Sequence, residues 1–398
     1  MKILFIVSRF PYPLITGDRL TIFNYIKHLS RQHEITLISF IESKKELEYL
    51  EKLKPFCKRI ETVLQKPIQS YLSCVVRLFS GYPLQVSYFY SKKMSSRIRN
   101  VLAQDNFDLI YIHTIRMAEY VKDINSYPKV LALQISMSLN YRRLKLSSRN
   151  IFKKIFYWYE YNKVRTYEVG MTRLYDKCLL ISQADRDELE KISKIDNIFL
   201  NPHGVDFRYF VPDSRIKKEE NSIVFTGNMK YAPNVDAIVY FCREIYPIIK
   251  REISNLKVYI VGMSPARSIK SLAAEPNIIV TGFVKDIRFY SNICQVGIDP
   301  LRIGAGLQNK ILEGMSMGLP MVVSSIANEG IGAVNGENIL IADGKNDFAM
   351  QVIRLLRDEA LRNRLSKSAR EFIEREFTWE KHLISLENIM FNLCSKKT

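Results

Sequence analysis

The chain has 398 residues, more than one hydrophobic core usually organises, so two domains of about 200 residues each are expected. Apolar residues make up 47% of it, enough for both to bury a core, and the formal net charge of +18 directs attention to anionic partners. The six cysteines (57, 74, 178, 242, 294 and 394) form neither a C-x-x-C pair nor a cluster with histidine, which argues against a disulfide scaffold or structural zinc and favours a reducing compartment. The start, MKILFIVSRFPYP, has a short apolar run broken by Arg9 and turn residues, too short for a secretory signal or a membrane span. It reads as a first buried strand. No internal repeat or low-complexity tract is present.

Apolar strands alternate with longer amphipathic segments, the pattern of parallel sheets covered by helices on both faces. In the first half the expected strands are Lys2 to Val7, Ile35 to Phe40, Leu109 to His113, Val130 to Leu133 and Cys178 to Ser182. Ligands of such sheets bind beyond the carboxyl ends of strands, so the loop PYPLITGDR, Pro11 to Arg19, is a candidate binding element. Asp18 can cap the following helix with Arg19 paired to it, or the loop can serve a ligand; the residues alone leave both open. His113 ends another strand. A lone histidine there is more often a satisfied structural residue than a catalytic one.

Charge is uneven along the chain. Residues 1 to 200 hold 33 Lys and Arg against 19 Asp and Glu, whereas 201 to 398 hold 26 against 22. Thr62 to Gln104 contains no acidic residue but has Lys66, Arg77, Lys92, Lys93, Arg97 and Arg99 among aromatic and aliphatic neighbours. Tyr141 to Lys177 carries ten basic against three acidic residues, around Ile151, Phe152, Ile155, Phe156, Trp158 and Tyr159. Such segments suit an anionic membrane surface, or they are core residues with a solvated cationic face. Nucleic acid ranks low because no recognised nucleic-acid motif accompanies them.

The turn residues of NPHGVD and the charged run Arg215 to Glu220 mark a boundary within Asn201 to Glu220. A second series of strands follows: Ser222 to Thr226, Lys257 to Val261, Ile278 to Thr281, Val296 to Asp299, Met321 to Ser324 and Asn338 to Ile341. Helical patterns lie between them, such as Asn234 to Glu252, and two terminal helices are expected over Asp347 to Phe377 and Trp379 to Leu393. After the first of these strands, the amides of Gly227 and Asn228 and the side chain of Lys230 can meet an anion.

The most informative stretch is PLRIGAGLQNKILEGMSMGLPMVV, Pro300 to Val323. Gly304, Ala305 and Gly306 have almost no side-chain bulk, so a ligand can approach the start of a helix expected to begin near Leu307. Lys310 and Glu313, three residues apart, project from one side. The lysine can meet phosphate oxygens, the carboxylate can accept from two vicinal hydroxyls, and Arg302 is a further cation. Either charged residue alone reads as an ordinary helix pair; the combination favours a nucleoside diphosphate.

This stretch resembles the donor-binding signature of family-4 glycosyltransferases, retaining enzymes of the GT-B fold, with its G-x-G…K-x-x-E-x-M-x-x-G-x-P context. Gln308, Asn309 and Lys310 repeat a run seen in bacterial polysaccharide members, and NPHGVDFRYF resembles the family's domain-linking segment. The resemblance is strong from Val205 to Asp343. It implies an α/β GT-B fold in which two Rossmann-like domains face their parallel sheets across a cleft: residues 1–204 binding acceptor, 205–378 binding donor, and a helix over 379–398 packing back on the first domain. It also implies that Glu313 contacts the nucleotide ribose, that Gly17 lies against donor phosphate or acceptor, and that His113 lies beside the transferring sugar. GFVKD, with Phe283 and Val284, would cup the base.

The expected activity is retaining transfer of a sugar, of hexosyl type, from a nucleotide diphosphate sugar to a saccharide or lipid-linked acceptor in surface polysaccharide assembly. Catalytic roles fall to His113, Lys310 and Glu313. Donor contacts fall to Gly17, Gly227, Asn228, Lys230, Phe283, Val284, Arg302, Gly304, Ala305, Gly306, Leu307 and Asn309, and an acceptor contact to Arg19. No metal or cofactor is expected, because the cations are protein-borne. A cytoplasmic protein peripheral on the inner face of the membrane follows, with no nucleic-acid partner. Many family members carry a second Glu where this chain has Ala305, which favours as the alternative a non-catalytic nucleotide-sugar-binding relative or partner subunit. A nucleotide-dependent oxidoreductase or epimerase is disfavoured because the opening strand lacks G-x-G-x-x-G after it.

Overall fold

Ile3 to Val7 are all completely buried, which is what an apolar run becomes when helices cover both faces of its sheet. In the computed structural model, which describes residues 1–14, 16–148 and 150–395, this run is an interior strand of a seven-stranded parallel sheet. Its strands are β1 (Lys2–Val7), β2 (Glu34–Ile41), β3 (Arg59–Leu64), β4 (Leu109–His113), β5 (Lys129–Gln134), β6 (Lys177–Leu180) and β7 (Ile198–Leu200), in the order β3-β2-β1-β4-β5-β6-β7. A six-stranded parallel sheet follows: β8 (Ser222–Thr226), β9 (Lys257–Val261), β10 (Ile278–Gly282), β11 (Val296–Asp299), β12 (Met321–Val323) and β13 (Leu340–Ile341), in the order β10-β9-β8-β11-β12-β13. Strand pairing is parallel throughout both sheets, for example Val7 with His113 and Asp299 with Val323.

The chain forms two compact units, Met1–Pro202 together with the end of the chain from His382, and His203–Lys381. Each is a doubly wound α/β layer structure. In both, the strand order reverses between two neighbouring central strands, β1 and β4 in the first and β8 and β11 in the second. Loops leaving two such strands part to opposite faces and open a crevice beyond their carboxyl ends.

Departures from the sequence expectation have local causes. β3 and β7 were not expected; β3 alternates charged residues with apolar ones and β7 is three residues long, so neither carries a continuous apolar signal. The helical pattern from Asn234 contains Pro247, whose ring would clash with a regular ladder. The helix Ala232–Tyr240 passes through a wider π turn, Phe241–Ile245, before resuming as Tyr246–Glu252. The pattern from Asp347 divides at Asp358, whose carboxylate accepts from the Leu361 amide at 2.8 Å and caps the helix Glu359–Glu376. From His382 on, the helix Trp379–Ser395 belongs to the first unit; Leu386 and Met390 are completely buried, and Glu387 lies 2.7 Å from His33 Nε2.

Candidate functional site

In the second unit the loop after β8 begins with Gly227 at φ +148°, and a Cβ there would lie 2.7 Å from Asn234 Nδ2. Only glycine therefore lets the chain close onto the first turn of Ala232–Tyr240. Asn234 donates from Nδ2 to the Asn228 carbonyl at 3.1 Å, and Asn228 Oδ1 accepts from the Lys230 amide at 3.0 Å. The Lys230 side chain is exposed, and no described carboxylate pairs with it.

The neighbouring strand β11 ends in Asp299, completely buried, and the turn through Gly304 to Gly306 follows. Gly306 has φ +75°, which stops a helix from forming through it. The helix therefore starts at Asn309, two residues later than the sequence suggested, and runs Asn309–Ser316; Leu307 is buried in the turn instead. Gln308 makes no side-chain cap, and Asn309 Oδ1 is buried without a hydrogen-bond partner among the described residues.

Lys310 does not project toward a ligand as expected. Its ammonium lies 2.9 Å from Asp299 Oδ1, donates to Asn234 Oδ1 at 2.8 Å and sits 4.4 Å above the Phe225 ring. Burial pushes the Lys310 ammonium down and the Asp299 carboxyl up, and each opposes the shift of the other. The lysine is a brace: through Asn234 it ties the helix Asn309–Ser316 to the loop after β8. Arg302 is also committed elsewhere. It closes a two-pronged pair with Asp236 at 2.9 and 2.5 Å and lies 4.3 Å over the Tyr240 ring. Both cations expected at a diphosphate thus serve internal contacts, because carboxylates unseen in the linear pattern stand beside them.

Glu313 contrasts with them. It is half-buried, its carboxyl receives no hydrogen bond and forms no ion pair among the described residues, and burial alone pushes that carboxyl up to about 7. Ile311, Leu312 and Met315 on the same helix are completely buried and fix its orientation. An unpartnered, partly desolvated carboxyl is costly unless something donates to it. Beyond β10, Phe283 is 69% exposed while Val284 is partly buried against Val224, Val261, Cys294 and Leu319.

In the first unit the crevice between β1 and β4 holds an acid and an imidazole. Asp18 Oδ1 lies 3.0 Å from Nε2 of the completely buried His113, while Asp18 Oδ2 and His113 Nδ1 have no hydrogen-bond partner among the described residues. Burial by itself would raise the Asp18 carboxyl, but the hydrogen bond and charge of His113, with the charges of Arg116 and Arg9, bring it down to about 2. Asp18 therefore neither caps the helix Gly17–Leu29 nor pairs with Arg19. Arg19 is buried and engaged by Glu46 at 2.7 Å, Glu42 at 3.4 Å and the Tyr12 carbonyl, so it braces this loop internally where a direct acceptor contact had been expected. Ile15, in the same loop, lies outside the described residues.

Two parallel α/β units, each with polar groups gathered where its strand order reverses, define the class: the chain has the GT-B fold. Residues 220–358 match the family model described as Glycosyl transferases group 1. An uncharacterized 44.6 kDa protein in the cps region of Klebsiella pneumoniae is 25% identical, covering 97% of this chain and 98% of its own length. The capsular polysaccharide biosynthesis glycosyltransferase CapM of Staphylococcus aureus is 26% identical over 50% of this chain and 55% of its own. Sucrose-phosphate synthase of Thermosynechococcus elongatus superposes with a TM-score of 0.78 at 13% identity, covering all of both chains. HepE of Anabaena, in complex with UDP, superposes with a TM-score of 0.68 at 13% identity, over 98% of this chain and 100% of its own. The fold and the family match support a glycosyltransferase.

Proposed function

We propose that the protein is a retaining, family-4-type glycosyltransferase that moves a sugar, of hexosyl type, from a nucleotide diphosphate sugar to a saccharide or lipid-linked acceptor of surface polysaccharide assembly. The observation that carries this reading is Glu313. Its carboxyl is oriented by a buried helix face and has no donor among the described residues, and a ribose diol supplies the two hydroxyl donors it lacks. The residues 205–378 then bind donor. The diphosphate lies against Gly227, Asn228 and the Gly304–Ala305–Gly306 turn, near Leu307 and Asn309, with Lys230 as its side-chain cation; the base lies on Phe283 and Val284. UDP bound by the similarly folded HepE supports a uridine nucleotide as the first to test.

The residues 1–204 bind acceptor, with Gly17 and His113 lining the site and Asp18 holding the imidazole. Arg19 and Lys310 act as positioning residues. Catalysis is chiefly electrostatic, through stabilisation of charge on the departing diphosphate as the sugar becomes oxocarbenium-like. The partner surface of such an enzyme is an anionic membrane, on its cytoplasmic face.

The direct test is thermal stability in the presence of UDP, GDP and their sugars. A nucleotide at 100 times its dissociation constant stabilises by about 2.7 kcal/mol. Stabilisation of the native chain, and its loss in Glu313→Ala, is the expected result. A UDP or GDP shift that survives Glu313→Ala unchanged removes the ribose role. Ala305, where many relatives have Glu, favours one second reading: a non-catalytic nucleotide-sugar-binding relative or partner subunit. That protein would show the same stabilisation yet release no sugar in a single-turnover assay.

A further inference from the structure

The two basic, aromatic-rich segments of the first unit are one surface. Tyr159 Oη and Lys163 Nζ both donate to the Leu78 carbonyl, at 2.7 and 2.6 Å, and the Leu84 amide donates to Glu160 at 3.0 Å. These bonds pin the turn after the helix Pro67–Val76 against the middle of the helix Ile151–Leu174. Away from the pins the apolar groups face outward. Ile68 is 84% exposed and Phe79 91%; on the second helix Phe152 is 79% exposed, with Ile151 and Trp158 also more than half exposed. Pro67–Val76 buries a single residue, Ser70, and Ile151–Leu174 buries none before Glu160.

Isolated exposed apolar residues are ordinary, but two pinned helices presenting them together are not. What covers this surface follows from its charge. No acidic residue occurs from Thr62 to Gln104, and between Tyr141 and Tyr175 the two that occur, Glu160 and Glu168, are both buried. Lys66, Lys153 and Lys154 are exposed beside the apolar groups. The outward face of both segments is therefore apolar and cationic with no exposed carboxylate, complementary to an anionic layer with an apolar interior. No helix of the described residues is long and apolar enough to cross a membrane, so the contact is one of lying in the interface.

We propose that the helices Pro67–Val76 and Ile151–Leu174 form a docking surface for an anionic lipid bilayer, with Phe79, Phe152 and Trp158 entering the acyl boundary and Lys153 and Lys154 meeting headgroup phosphates. The inference gives the membrane partner of the proposed transferase its place on the chain. Vesicle binding reads it without a sugar donor, so failure of the transferase reading would leave this result intact, and the reverse also holds.

The test is flotation of the full chain with vesicles of phosphatidylcholine alone or mixed with phosphatidylglycerol. Binding to the anionic vesicles only, lost at 1 M salt where the Debye length is about 3 Å, is expected. Phe152→Ser with Phe156→Ser, and separately Lys153→Glu with Lys154→Glu, should each weaken partitioning about tenfold or more. Because these positions are exposed, the far-UV spectrum and melting temperature of the variants should match the native protein. Should a variant misfold, the native chain still decides. Brominated acyl chains should quench its Trp158 emission, and Trp158→Phe should remove the quenched component. Equal binding to neutral and anionic vesicles, unchanged binding in the folded variants, or unquenched Trp158 would overturn the proposal. So would a lipid-free dimer that dissolves in Phe152→Ser/Phe156→Ser, which would assign the surface to a second copy of the chain.

Discussion

Glu313 and Lys310 stand three residues apart on one helix and have opposite circumstances. The Glu313 carboxyl lies at about 7 in the folded chain against 4.5 for the free group, with burial as the cause. A carboxyl raised in this way contributes stability that is fully present below the unfolded value and is lost as pH rises through the folded one. The native melting temperature should thus fall between about pH 4.5 and 7, and Glu313→Gln, which cannot ionise, should flatten that fall. Parallel melting curves for the two proteins across this range would show that Glu313 is not held in the protonated state. Lys310 carries the reverse expectation. Removing it leaves the completely buried Asp299 without its cationic partner, so Lys310→Ala should destabilise the second unit by roughly 3–5 kcal/mol in urea unfolding. Pairing Lys310→Met with Asp299→Asn should recover most of that loss. A Lys310→Ala cost below about 1 kcal/mol would mean the ammonium is not the brace the geometry indicates.

At the scale of elements, the spacing that puts Lys310 and Glu313 on one side of a helix was legible, as were the strands whose apolar runs are continuous, such as β1, β4 and β8. Their partners were not. Asp299 reads as the last residue of a strand and Asn234 as an ordinary residue of a helix start, and only the adjacency of β8 and β11 brings them to Lys310. For Asp18 the sequence left a helix cap and a ligand role equally open, and only the pairing of β1 with β4 sets His113 beside it. The basic aromatic segments could have been core or surface, since composition is the same in both cases; tertiary packing buries Val86, Phe89, Val164 and Tyr167 and leaves Ile68, Phe79, Phe152 and Trp158 exposed. The Asn234 side chain touches both Lys310 and the loop after β8, so Asn234→Ala should loosen the proposed diphosphate site without removing a ligand contact. Loss of such hydrogen bonds, about 1.4 kcal/mol, predicts a roughly tenfold rise in nucleotide dissociation constant with a largely intact fold. Unchanged nucleotide affinity in Asn234→Ala would separate the brace from binding.

Over the whole molecule the surplus of positive charge lies in the first 200 residues, and the second half holds only 26 Lys and Arg against 22 Asp and Glu. Several of the second unit's cations are already paired: Arg302 with Asp236, Lys310 with Asp299, Arg288 with Asp286 and Lys250 with Glu275. On the proposed reading, a departing diphosphate draws its countercharge from few groups, and Lys230 is an exposed cation on the loop beyond β8, where the strand order reverses. Its ammonium gains most when charge develops on the leaving group, so Lys230→Ala should lower kcat by about tenfold to a hundredfold while changing nucleotide affinity less. If the protein supplies that countercharge, a chelator should leave transfer intact. Two results would redirect the assignment. Equal losses in kcat and in ground-state nucleotide binding would make Lys230 a uniform binding contact. Transfer abolished by the chelator and restored by magnesium or manganese would assign the countercharge to a divalent ion, with Lys230 and the loop amides orienting the donor around it.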